Sequence, residues 1–158
     1  MIKKIGIDVG GVLRQKRIGR NDLKKYLDTP LLPGALEVVT WLAATFGKEN
    51  IYIISKCPEE KERDIRLWLE KTSVMPQFIP NENIFFCRER VEKATIASAH
   101  GIDIFIDDRV DVLNVMKDIV KHRFLFTGGG TEEFSEDSSI ICCPNWESVM
   151  AAFKAVQS

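Results

Sequence analysis

Short apolar runs alternate along the chain with segments whose apolar residues recur at helical spacing. Ile5, Ile7 and Val9 are β-branched and predict a short buried strand. Asn21 to Leu27 is a candidate short helix. Pro33-Gly34 opens a longer one carrying Leu36, Val39, Ala43 and Phe46, and Gly47 closes it. Residues 51–54 read as a second strand. Pro58, followed by Glu59 and Glu60, reads as the first helical position of a helix buried through Ile65, Trp68 and Leu69. Pro76 and Pro80 then break the chain before a third strand at residues 84–87. A helix over residues 91–100 is stopped by Gly101, and a fourth strand is expected over 102–106. Val110, Leu113, Met116 and Val120 continue as one helix. A fifth strand at 123–126 precedes Gly128-Gly129-Gly130, and a sixth at 140–142 leads into a last helix with Trp146, Val149, Met150 and Phe153 inward. The strands are apolar throughout, as in a parallel sheet covered by helices on both faces. The expected fold class is therefore α/β with three layers.

The length of 158 residues fits one domain, 1–158, with a sizeable core. A 45% apolar and 28% charged composition is that of a soluble globular protein. The net charge of −1 provides no field to recruit nucleic acid or an anionic membrane. No apolar stretch is long enough to span a bilayer, and the N-terminus lacks a signal peptide's apolar core. The four cysteines form no CxxC pair and only two histidines accompany them, which argues against zinc. Vicinal Cys142-Cys143 fits a reduced, cytoplasmic chain. No internal repeat or low-complexity linker is visible.

Candidate chemistry collects where strands end. Asp8 follows the first strand and is followed at once by Gly10 and Gly11. Ser55 ends the second strand, and Asp107-Asp108-Arg109 end the fourth. Each has a plain structural reading: Asp8 and Ser55 as turn residues, the Asp-Asp pair as a helix N-cap. If the strands are parallel, however, these groups share one sheet edge, where ligands of open α/β sheets bind. Three carboxylates at close quarters repel. A hard divalent cation such as Mg²⁺ would resolve the repulsion. Lys93, at the front of the helix leading into the Asp-Asp strand, could bring a positive charge to the same place. A metal, a cation, a hydroxyl and a carboxylate nucleophile together suit phosphoryl transfer.

In this order the residues resemble the haloacid dehalogenase (HAD) superfamily, mostly Mg²⁺-dependent phosphatases. The resemblance covers about residues 2–127 and implies a Rossmann-like, HAD-type sheet. Asp8-Val9-Gly10-Gly11-Val12 is similar to the first motif, which makes Asp8 the nucleophile. Ser55 matches the second, whose hydroxyl binds the phosphoryl group. Lys93 matches the third, and Asp107 and Asp108 match the acidic metal site. The resemblance also implies that the Gly10 carbonyl binds Mg²⁺ beside Asp8, Asp107 and Asp108. The expected substrate-binding set is Gly11, Ser55, Lys56 and Lys93, joined by Arg14 and Arg17 as cations of the basic segment after the first motif that could meet phosphate. One position departs. The family's phosphatases usually carry a second Asp two residues after the nucleophile, which protonates the leaving group and activates water; here that residue is Gly10.

Between the first two motifs only residues 13–32 are spare, too few for a separate cap domain. Arg14, Lys16, Arg17 and Arg20 make this segment basic, and it reads either as a solvated loop, too polar for core, or as a flap that favours anions. An open site suits a phosphorylated macromolecule, or a small phosphorylated molecule enclosed by a second copy in a homo-oligomer. Three outcomes fit Gly10: an enzyme for good leaving groups, a slow enzyme or one borrowing a group from elsewhere, or a degenerate HAD-like domain that binds a phosphorylated ligand or partner without turnover. A response-regulator-like receiver is disfavoured because its acidic pair would precede the nucleophile. The triple glycine lacks the Gly-Lys-Ser/Thr ending of a P-loop and reads as a flexible turn.

Overall fold

A computed structural model describes residues 1–157. Six parallel strands form one sheet in the order β3-β2-β1-β4-β5-β6. They are β1 (Ile5–Ile7), β2 (Ile51–Lys56), β3 (Ile84–Cys87), β4 (Ile104–Asp107), β5 (His122–Phe126) and β6 (Ile140–Cys143). The helices are α1 (Leu23–Asp28), α2 (Ala35–Phe46), α3 (Glu62–Lys71), α4 (Glu92–His100), α5 (Val110–Val115) and α6 (Trp146–Gln157).

Side chains alternate across the sheet, and the two faces have separate cores. Ile5, Ile7, Ile51, Ile53, Ile104 and Ile106 point to one face and pack with residues of α2, α3 and α6. Tyr52, Ile54, Phe105 and Leu125 point to the other and pack with α4 and α5. This is the three-layer α/β architecture expected from the uninterrupted apolar strands. Strand order reverses at β1: β2 and β3 extend the sheet on one side, β4 to β6 on the other. The carboxyl ends of β1 and β4 therefore border the crevice where open α/β sheets bind ligands.

Three departures of element boundaries from the sequence pattern have an identifiable cause. β4 starts at Ile104 rather than at residue 102, because the Asp103 carboxylate accepts hydrogen bonds from the Lys3 and Lys4 amides (2.8 and 3.0 Å) while the Ile102 amide closes onto Ala97. Pro58 stays extended, since the Cys57 amide still pairs with the Cys87 carbonyl; a 3₁₀ turn at Glu59–Lys61 intervenes before α3. α5 ends at Val115 instead of running to Val120, and the buried Arg123 guanidinium takes the Leu113 carbonyl at 3.1 Å. All four cysteines are free thiols. No helix among the described residues is long and apolar enough to cross a membrane.

Candidate active site

β1 gives out at Ile7, and the Asp8 amide makes the last sheet bond, to the Ile106 carbonyl (3.0 Å). Continuing the β1–β4 register sets Asp8 beside Asp107. The chain then winds into one tight turn, with the Leu13 amide on the Val9 carbonyl (2.9 Å) and the Gly11 amide on the Arg14 carbonyl (2.8 Å). Gly11 takes φ +82°, and a Cβ there would overlap the Asp108 carboxylate, so only glycine fits.

Asp8, Asp107 and Asp108 are buried and offer oxygens that all lie within 4.8 Å of one another. Lys93, in the first turn of α4 and 3% exposed, lies 3.1 Å from Asp8 Oδ1 and 2.8 Å from Asp107 Oδ2. The Arg109 amide donates to Asp107 Oδ1 (3.0 Å). Asp108 Oδ2 accepts from the Thr131 hydroxyl and lies 3.4 Å from Lys16 Nζ. Asp108 Oδ1 is buried with no hydrogen-bond partner among the described residues.

Burial raises the Asp8 carboxyl well above the ordinary range, and the charge of Asp107 raises it further; Lys93 and Lys16 offset only part. Burial also raises Asp107, against the pull of Lys93. Asp108 ends up lowered, because its bond from Thr131 and the Lys16 charge outweigh burial. Burial disfavours the Lys93 ammonium, but Asp107 and Asp8 more than compensate, so it stays cationic. Three carboxylates thus face two ammonium groups, and one buried oxygen is left unpartnered. A hard divalent cation fits this donor set: it takes oxygen ligands, supplies the missing positive charge and would satisfy Asp108 Oδ1.

A cavity of about 530 Å³ opens over Asp8 and is lined by Gly10, Ser55, Lys56, Lys93, Arg17 and others of the 14–26 segment. The fold therefore brings Asp8, Ser55 and Lys93 to one cavity, with Asp107 and Asp108 beneath. Gly11 is not among its walls and instead packs on Asp108. Arg14 corrects the expectation of a segment too polar for core. It is 2% exposed, and its guanidinium donates to the carbonyls of Ile18 (2.7 Å) and Tyr26 (3.0 Å). It also stacks over Tyr26 and Trp68, 3.5 and 4.9 Å from the ring centroids. Arg14 lines the cavity with its guanidinium already engaged by these two carbonyls. The triple glycine is a packed turn: the Gly129 carbonyl accepts from the Lys16 amide (2.8 Å), and a side chain at Gly129 would overlap the Gly11 backbone.

Lys16 and Thr131 join the carboxylate cluster although no motif in the sequence marks them for it. Thr131 had a signal, as a hydroxyl just after the turn that ends another parallel strand. Lys16 was hidden in a run of cations. Gly10 lacks the expected carboxylate, and a Cβ there would meet only Lys16 Cδ, at 3.9 Å.

No protein-family model matches the chain, and no curated protein matches it in sequence. Solved structures match in fold. A D,D-heptose 1,7-bisphosphate phosphatase of B. bronchiseptica, complexed with magnesium and phosphate, superposes with TM-score 0.68 at 14% identity over 98% of this chain and 99% of that one. A haloacid dehalogenase-like family hydrolase of Xanthomonas campestris gives 0.68 at 12% identity over 98% and 96%. An uncharacterized protein of Listeria monocytogenes serotype 4b gives 0.71 at 13% identity over 99% of both. The chain thus has an α/β Rossmann-like fold. That fold is shared with hydrolases of the haloacid dehalogenase superfamily.

Proposed function

We propose that this protein is a Mg²⁺-dependent phosphohydrolase of HAD type that acts through an aspartyl-phosphate on Asp8. The carrying observation is the buried cluster of Asp8, Asp107 and Asp108 around Lys93, with Asp108 Oδ1 unpartnered beneath an open cavity. The phosphatase of like fold that holds magnesium and phosphate supports the reading. Asp8, Asp107, Asp108 and the Gly10 carbonyl would hold the cation. When bound it neutralises charge on the carboxylates and on a phosphoryl group.

In this reading an Asp8 oxygen attacks phosphorus, and the ester oxygen leaves with the bonding electron pair. Lys93, anchored on Asp107, orients Asp8 and offsets negative charge on the phosphoryl oxygens. The Ser55 hydroxyl, buried at the end of β2 on the cavity wall, donates to one of those oxygens. A water oxygen then bonds to phosphorus, the Asp8 oxygen leaves with the electron pair of its bond to phosphorus, and inorganic phosphate departs, the water proton passing to solvent. No carboxyl at position 10 protonates the departing oxygen. General acid–base catalysis is worth roughly 10²–10⁴-fold, so substrates that leave as stable anions, acyl phosphates first, are favoured. The 13–32 segment, rather than a separate cap domain, walls the site.

Gly10 also supports a second reading, a degenerate domain that binds a phosphorylated ligand or partner without efficient turnover. One experiment separates the two. Wild type and Asp8→Asn are assayed with Mg²⁺ on acetyl phosphate, p-nitrophenyl phosphate, nucleotides, sugar phosphates and phosphopeptides. Turnover that needs Mg²⁺ and vanishes in Asp8→Asn is the outcome expected of the enzyme. Silence across the panel, with phosphate binding retained, would transfer the conclusion to the binding domain.

A further inference from the structure

The cavity over Asp8 is lined by more positive charge than phosphoryl transfer uses. Most of it is engaged. Lys93 and Lys16 serve the carboxylates, and Arg14 serves two carbonyls. Lys61 donates to the Arg20 carbonyl (3.1 Å), and Arg90 and Arg109 pair with Asp111 (3.6 and 3.3 Å). Arg17, Arg20 and Lys56 line the same cavity, and among the described residues their side chains have no ion pair or hydrogen-bond partner. Glu60 and Asp64 also line it and leave a cationic surplus.

The loop carrying Arg17 and Arg20 is built rather than slack. The Arg14 guanidinium clamps its Ile18 carbonyl, the Lys16 amide ties it to Gly129, and the Asp22 amide bonds the Gly19 carbonyl (3.1 Å). Gly19 takes φ +70°, and a Cβ there would overlap the Tyr26 backbone, so the loop lies directly on α1. Arg17 itself holds φ +67°, a left-handed conformation unfavourable for a residue with a Cβ. Strain of that kind persists where the surroundings impose it, and here they fix an unpaired arginine at a cavity wall. The cavity, about 530 Å³, has the size of a small-molecule site and exceeds the needs of one phosphoryl group.

We infer that Arg17, Arg20 and Lys56 form a second anion subsite, so that the substrate is a small phosphate compound carrying a further phosphate or carboxylate. Guanidinium groups bind either anion through paired N–H donors. The inference rests on the phosphohydrolase reading for the first phosphate and adds the second charge.

The test is calorimetric binding to Asp8→Asn in Mg²⁺, with propyl phosphate, trimethylene bisphosphate and phosphonooxybutanoate as probes. The bisphosphate and the carboxylate probe are expected to bind about tenfold or more tightly than propyl phosphate. Whichever gains more identifies the second anion. The ratio falls to near unity in Arg17→Gln/Arg20→Gln/Lys56→Gln, falls partly in Lys56→Gln alone, and shrinks as salt rises. Equal affinity for all three probes, or a preference that survives the triple substitution, overturns the subsite. If wild type hydrolyses monophosphates without such a preference, only this inference fails. If no probe binds Asp8→Asn, which lacks one of the proposed cation ligands, wild type is titrated with the phosphonate counterparts of the three probes, and no binding there overturns this inference and the phosphohydrolase reading together.

Discussion

Lys16 is the nearest neighbour of the side chain that Gly10 lacks: a Cβ on Gly10 would meet only Lys16 Cδ, 3.9 Å away. That is ordinary van der Waals contact, and Gly10 has no left-handed φ to disfavour a side chain. The acid–base position is therefore vacant rather than blocked.

Gly10→Asp should fold and should raise turnover of phosphomonoesters with poor leaving groups. The ceiling is the roughly 10²–10⁴-fold worth of general acid–base catalysis. Acetyl phosphate, whose leaving group needs no proton, should gain least. Steady-state kcat across a series of leaving groups measures this. A uniform gain across the series would place the limit at the water attack that this carboxyl also activates, and no gain on any substrate would show that the missing carboxyl does not limit the reaction.

Asp8→Asn should abolish turnover and should melt higher than wild type in EDTA near neutral pH. Burial and Asp107 hold the folded Asp8 carboxyl well above its ordinary range. A raised carboxyl stabilises the fold in its protonated form, and that contribution is lost as pH rises through the raised value. The gap in melting temperature should accordingly close toward the ordinary carboxylate range and widen toward neutrality. Thermal scans over pH provide the comparison.

Mg²⁺ binding should release protons, because the cation displaces those held by the raised Asp8 and Asp107 carboxyls. Apparent affinity should weaken as pH falls into the range where these groups protonate. Calorimetry in buffers of different ionisation enthalpy counts the protons. A binding heat independent of buffer would contradict the raised carboxyls.

Gly11→Ala combines a left-handed φ of +82° with overlap on Asp108. It should cost about 1–3 kcal/mol of stability and, by displacing Asp108, weaken Mg²⁺ binding as well. Urea unfolding and a Mg²⁺ titration read the two effects separately.

Arg14→Met should cost about 1–3 kcal/mol in urea unfolding, since it removes the donor from the part-buried Ile18 and Tyr26 carbonyls. Arg14→Lys should recover little, because an ammonium cannot fork to two carbonyls while lying flat on Tyr26 and Trp68. Wild-type stability in either variant would show that Arg14 is not the clamp of its loop.

The parallel three-layer architecture was legible in the chain because its causes are local. Strands apolar on both faces must be covered on both faces, and Asp8, Ser55 and Asp107-Asp108 then have to emerge at one edge. The existence of each element followed from periodicity and from Gly and Pro signals. Boundaries moved where distant groups intervened: Asp103 capturing the Lys3 and Lys4 amides, Arg123 taking the Leu113 carbonyl. Only tertiary structure could sort the cations of residues 14–20. Arg14 turns inward because the Tyr26 carbonyl and the rings of Tyr26 and Trp68, from outside its loop, meet it there together with the Ile18 carbonyl of the loop itself. Lys16 reaches Asp108, and Arg17 and Arg20 are left to the cavity. Thr131 likewise joins the site through the packing of a turn more than twenty residues beyond Asp108 in the chain. Hydrophobic pattern is carried by neighbours in sequence, whereas the partner of a charge is chosen by three-dimensional proximity and burial.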